Sequence, residues 1–177
     1  MLHRQNDTTS VAAADYRDAM SRYAGHVQIV TTRFGETLRG ITATAACSVS
    51  DAPPTVLVCV NRINERNEPF FRSGCFALNT LSAEQQPVAD AFSGLTGLAE
   101  RARFDTAAWE ELETGAPCLV GAAAVFDCRV LELKPMSTHM VIFGQVVGLS
   151  RGGERSGLIY HNRQYRRLSD DDGGQQV

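Results

Sequence analysis

The chain has 177 residues and weighs 19.2 kDa; 44% of its residues are hydrophobic and 21% charged. That is the make-up of one globular domain that can bury a core without disulfides or metals, so wholesale disorder is excluded. Seventeen basic against twenty acidic side chains leave a net charge of −3, which provides no footprint for nucleic acid or an anionic membrane.

Residues 1–12 read as a disordered tail. They lack an apolar h-region, so no secretory signal is expected, and no run reaches the roughly 20 apolar residues of a bilayer span. Asp15 to Tyr23 reads as a short helix with Asp15 as N-cap and Tyr16, Met20 and Tyr23 on one face; Gly25 ends it. Val27 to Thr32 alternates apolar and polar residues and is rich in β-branched side chains, hence a strand. After a turn at Phe34-Gly35-Glu36, Leu38 to Ser48 is expected as a second strand pairing with it.

Pro53-Pro54 breaks the chain, and Thr55 to Val60 is an apolar run suited to a barrel wall. Asn61 to Asn67 is a polar loop, Glu68 to Arg72 one short helix, and Cys75 to Thr80 a further strand. Ser82 and Gln85 have capping-box spacing, so a helix begins there and runs to Phe92, with Pro87 able to shift its start. Ser93 to Asp105 is expected as a long charged loop, a candidate functional segment. Trp109 and Leu112 anchor the next piece. Ala122 to Leu133 and Met140 to Leu149 form an antiparallel pair, Gly157 to Tyr160 is a last short strand, and residues 169–177 read as a solvated tail. About seven strands with two or three short helices, not alternating as βαβ, predict an antiparallel barrel with helices at its ends.

No G-x-G-x-x-G, Walker, G-x-S-x-G or H-E-x-x-H motif occurs. Cys47, Cys59, Cys75, Cys118 and Cys128 are odd in number and lack C-x-x-C spacing. They read as reduced, mostly buried thiols of a cytoplasmic protein rather than a catalytic centre. His3, His26, His139 and His161 are scattered without ligand spacing, so no metal site is expected. One segment stands apart: Gly40 to Ser50 is built almost wholly of small residues. Small side chains let a flat ligand approach the backbone, and Thr42, Thr44, Ser48 and Ser50 add hydroxyls. On residue types alone, a strand packed closely against a helix accounts for it better.

The run R-G-I-T-A-T-A-A-C-S-V-S-D-A-P-P-T-V-L-V-C-V-N-R resembles the signature of the short-chain flavin reductase family. Collinear pieces extend the likeness over residues 15–168: Arg17 to Ser21, Val27 to Thr32, Phe76 to Ser82, Arg103-Phe104, Thr138-His139 before Phe143 to Val146, and Leu158 to Tyr160 with Tyr165. The detail is most similar to the branch of that family serving pyrimidine-ring opening. The resemblance implies a mainly β fold, an antiparallel Greek-key split barrel with a few short flanking helices, forming one domain over residues 13–168.

It also implies a site. Thr42, Ala43 and Thr44 would run along the isoalloxazine of FMN or FAD, with Cys47 in the flavin-facing segment and Ser48 toward the ribityl phosphate. Asn61, Arg62, Asn64 and Arg66 would hold the phosphate, a task that suits arginine, although for Arg62 and Arg66 a solvated turn is an equal reading. Asn79 and Leu81 would border the ring, and Arg103, followed by Phe104, would add charge near the phosphate. His139 would handle the nicotinamide of NADH or NADPH, and Arg163 and Tyr165 would lie on the nicotinamide side. Two departures from the pattern, Ser137-Thr138 before the histidine and His161 to Gln164 before Tyr165, leave NADH against NADPH open.

The function implied is an NAD(P)H:flavin oxidoreductase, a homodimer, supplying reduced flavin to a partner monooxygenase. Two readings stand beside it: a flavoprotein that keeps FMN and reduces another acceptor, and a non-catalytic flavin-binding protein.

Overall fold

A computed structural model describes residues 11–153 and 156–168. The expected tails lie outside these residues, apart from Val11 and Ala12, which are exposed and belong to neither a helix nor a strand. Helix α1 (Ala13–Ser21) starts two residues before the expected cap, so Asp15 falls inside its first turn. Next come β1 (Gly25–His26), β2 (Gln28–Phe34), β3 (Thr37–Ala43), β4 (Ala46–Asp51) and β5 (Pro54–Asn61). A 3-10 turn (Glu65–Asn67) leads into α2 (Glu68–Arg72) and β6 (Cys75–Thr80). A second 3-10 turn (Ala83–Gln85) opens α3 (Gln86–Ser93); α4 (Glu100–Phe104), β7 (Trp109–Glu111) and β8 (Pro117–Leu119) follow. The long strands β9 (Ala124–Met136) and β10 (His139–Arg151) pair with each other, and β11 (Gly157–His161) pairs with β12 (Gln164–Leu168).

Seven strands form one antiparallel sheet in the order β3-β2-β6-β9-β10-β5-β4. Its edge strands, β3 and β4, are consecutive in the chain and only Thr44 and Ala45 separate them. Two residues cannot cross a flat sheet of that width, so the sheet must curl until its edges nearly meet. The result is a barrel split along one seam, with Thr44-Ala45 crossing it. Here the expected single strand Leu38 to Ser48 is corrected: it is two strands, because the chain leaves one edge and joins the other.

Side chains alternate across the wall. Val30, Val56, Val58, Val60, Phe76, Leu78, Cys128 and Ile142 pack inside the barrel, with Phe70 of α2 joining them. Val27, Ile29 and Ala77 face outward into a second core built with Val88, Ala89, Phe92 and Phe104 of α3 and α4. Helix α3 lies close on β3 because Gly40 has no side chain: a Cβ there would come 2.3 Å from Phe92 Cε1. The rings of Phe92, Phe104 and Trp109 pack edge-on or tilted with centroids 5.0–5.6 Å apart, and Trp109 Nε1 donates to the Phe104 carbonyl at 2.8 Å. The expected loop Ser93 to Asp105 therefore contains α4, a helix too short to leave a periodic signal. The expected capping box is present in part: Ser82 N–H donates to Gln85 Oε1 at 3.1 Å, and Pro87 takes a place in the first turn of α3, where its missing N–H costs nothing.

The cysteines are free. Cys118 and Cys128 are buried, and burial pushes both thiols up to about 12, with the charge of Asp127 adding to the effect. Cys59 and Cys75 are half-buried and Cys47 is exposed, so burial is less general than expected. No helix among the described residues is long and apolar enough to cross a membrane.

Candidate functional site

Two clefts lie beside the seam. The first has a volume of about 520 Å³. Its floor is Ile41 to Ala45 of β3 and the crossing; one wall is Cys59 and Asn61 of β5 with His139 of β10. The other is Phe92, Ser93 and Gly94 at the end of α3, and Arg39, Asn64, Arg66, Asn67 and Arg103 complete it. The second cleft, about 370 Å³, is lined by Val27, Thr42 to Thr44, Ser93, Leu95, Tyr160, Arg163, Gln164 and Tyr165. The two share Thr42, Ala43, Thr44 and Ser93, so one short stretch of β3 separates and serves both.

The first cleft is cationic. Arg39, Arg66 and Arg103 line it, and no carboxylate does. Arg39 is held in place by the Asn67 Oδ1, which accepts from its Nε at 3.0 Å and its Nη2 at 2.8 Å, and its Nη1 pairs with Glu100. Asn67 is itself fixed by donating to the Asn61 carbonyl at 2.8 Å. Burial lowers the Arg39 pKa, and Glu100 works against that shift. Arg103 donates from Nε to the Leu98 carbonyl at 3.1 Å and lies 3.7 Å from the same Glu100 carboxylate. Two largely buried guanidinium groups thus share one carboxylate, leaving a unit of positive charge uncompensated at the wall. Arg66, exposed, adds another at the loop that Asn64 shapes by accepting from the Arg66 N–H at 3.2 Å. An anion with several acceptor oxygens, such as a phosphate monoester, fits this wall. The second cleft is more apolar and aromatic: Tyr160 and Tyr165 meet edge-on with centroids 5.4 Å apart, and burial raises the Tyr165 pKa, with Asp90 and Tyr160 adding to it.

The residues singled out in the sequence divide into groups. Thr42, Ala43, Thr44, Asn61, Asn64, Arg66, Arg103 and His139 come together in the first cleft, and Arg163 and Tyr165 in the second. Thr42 contributes backbone, since its hydroxyl donates to the Ala89 carbonyl at 2.7 Å. His139 opens β10 opposite Asn61, with Nδ1 2.9 Å from the Thr138 hydroxyl, and so stands in the first cleft, not the second.

Others sit elsewhere. Asn79 is fully buried: its amide donates to the Ile29 carbonyl at 2.9 Å and to Thr31 Oγ1 at 3.1 Å and accepts from Leu119 N–H at 2.7 Å. It ties β6 to β2 and β8 and lines neither cleft. Leu81 and Phe104 are buried in the outer core and do not reach either cleft. Cys47 and Ser48 lie on β4 past the crossing; Ser48 lines a separate groove with Phe126 and Val146. Arg62 is exposed, and its N–H donates to the Thr138 carbonyl at 3.0 Å, bracing the loop against the β9–β10 turn. Among the lining residues that the sequence pattern did not mark as site residues are Arg39, Asn67, Cys59, Ser93 and Gly94 of the first cleft and Tyr160 of the second.

Comparison with known proteins identifies the family. The flavin reductase like domain matches residues 20–169. The chain is 42% identical over 160 residues to the FMN reductase (NADH) RutF of Ancylobacter novellus, covering 90% of this chain and 87% of that protein. Among solved structures, BorF, the flavin reductase component of a bacterial two-component tryptophan halogenase, superposes with a TM-score of 0.82 at 31% identity, covering 90% of this chain and 99% of that one. An NADH:FAD oxidoreductase of Streptomyces globisporus, solved in complex with NAD and FAD fragments, gives 0.81 at 29% identity over 90% of this chain and 94% of that one. The split barrel, the paired clefts and a family match over most of the chain lead to one conclusion: this protein belongs to the flavin reductase like domain family.

Proposed function

We propose that the chain is an NADH-dependent flavin reductase that reduces FMN and releases it to a partner oxygenase. The observation that carries this is the pair of clefts on one shared strand, one cationic and one aromatic. Flavin supplies a ring that takes up a hydride from nicotinamide together with a solvent proton, so NADH, FMN and a proton give NAD+ and reduced FMN.

The chain's own residues have little acid–base work to do. The Thr42–Thr44 backbone gives a flat surface free of bulky side chains. Arg66, Arg103 and Arg39, with Asn64, hold a phosphate at one end of the first cleft. Tyr160, Tyr165 and Arg163 receive the dinucleotide from the second cleft, so that two rings stack over the shared stretch. His139, on the β10 wall of the first cleft, meets the nicotinamide where that ring enters over the shared stretch. Residues 13–168 act as a single reductase unit with the segments 1–12 and 169–177 outside it. FAD shares the ring and the first phosphate of FMN and serves as a second substrate. Five unpaired cysteines and a need for NADH fit the cytoplasm.

We also expect a homodimer. Outward-facing Leu57, Val141 and Phe143 are half-buried, and Val49 beside them is 48% exposed. They make an apolar stripe across β4, β5 and β10, while α3 and α4 cover the opposite side at β3. A second copy on this stripe removes it from water. The direct test is NADH oxidation by the purified chain with and without added FMN. A rate that depends on added flavin supports the proposal; a yellow protein inert to NADH and NADPH refutes it. Replacing His139 with Ala should raise the KM for NADH about tenfold, roughly 1.4 kcal/mol, with a smaller change for FMN. Equal changes would remove His139 from nicotinamide binding.

A further inference from the structure

The β11–β12 turn is two residues, with His161 paired to Gln164 and both Asn162 (φ 54°) and Arg163 (φ 61°) left-handed. That conformation presents Arg163 at the mouth of the second cleft and toward α1. Two contacts bind the turn to the helix: Asn162 N–H donates to the Ser21 carbonyl at 2.6 Å, and Arg163 Nη2 donates to Asp18 Oδ1 at 3.2 Å. The other Asp18 oxygen lies 3.7 Å from Arg22 Nη2. One carboxylate therefore sits between two guanidinium groups, one of which, Arg163, lines the second cleft. These pairs are solvent-exposed and contribute little to stability.

We infer that Asp18 selects a dinucleotide with a free 2′-hydroxyl over one carrying a 2′-phosphate. A 2′-phosphate brought to Arg163 meets a carboxylate already engaged there, whereas a 2′-hydroxyl can donate to it. The inference rests on the proposal that the second cleft receives the dinucleotide.

Steady-state rates with NADH and NADPH test it. Asp18→Asn should raise the NADPH:NADH ratio of kcat/KM about tenfold by freeing Arg22 and Arg163, and Asp18→Glu should keep the parent ratio. Adding Arg163→Ala to Asp18→Asn should abolish the gain. A ratio within twofold of the parent in Asp18→Asn, or a gain that survives without Arg163, overturns the inference while leaving the reductase proposal intact. A parent chain that oxidises neither nucleotide removes the reductase proposal and the inference with it.

Discussion

Arg39 shows how much a single phase carries. On β3, Ile41 and Ala43 pack against the barrel interior, and Arg39 lies in the same phase. A charged residue at an inward position must be paired, and this one is, to Asn67 and Glu100. Nothing local in the sequence marks Arg39, because its partners Asn67 and Glu100 are 28 and 61 residues away. Asn79 is the reverse case. An asparagine in an apolar strand has two roles open to it, ligand or internal tie, and only its three buried hydrogen bonds decide for the tie. The two loop arginines part company in the same way. Arg66→Ala should weaken FMN about tenfold and riboflavin hardly at all, whereas Arg62→Ala should affect both alike, as flavin titrations would reveal. Cys118 and Cys128 make a separate prediction. Unfolded, these thiols ionise near 9, and folded they keep their protons to about 12. Their stabilisation is complete below pH 9 and is lost as the pH climbs toward 12, on the order of a few kcal/mol. Melting temperatures should fall across that window, and a variant with both cysteines changed to alanine should show a shallower fall.

Among the elements, those with a strict period were legible and those defined by tertiary contact were not. Strand β6 and helix α2 fall where the pattern puts them. Helix α4 exists because Phe104 joins the Phe92–Trp109 cluster, and the break between β3 and β4 exists because the sheet closes; neither leaves a local mark. The packing of α3 on β3 decides where Ser93, Gly94 and Arg103 stand, so it is the element-level support of the first cleft. Gly40→Ala puts a Cβ into the Phe92 ring and should cost about 1–3 kcal/mol, a drop in Tm of roughly 3–10 °C by calorimetry. Flavin affinity should fall with it, since the α3 wall must shift. An unchanged Tm would mean that α3 is not seated as described.

At the scale of the whole molecule, the closed sheet leaves a single seam, and both clefts open along it. The two clefts share Thr42, Ala43, Thr44 and Ser93, so the proposed function has flavin and dinucleotide handled within one small region. Sedimentation should give twice the chain mass, and Phe143→Glu, which puts a charge in the outer stripe, should give the monomer; a wild-type monomer would contradict the dimer. The central claim is that flavin is reduced here and leaves. Anaerobic mixing of a trace of the protein with a large excess of FMN and NADH tests it most directly, with bleaching of the yellow flavin as the readout. The account predicts that many equivalents of FMN are bleached per protein chain; bleaching that stops at one equivalent, or never begins, would contradict it.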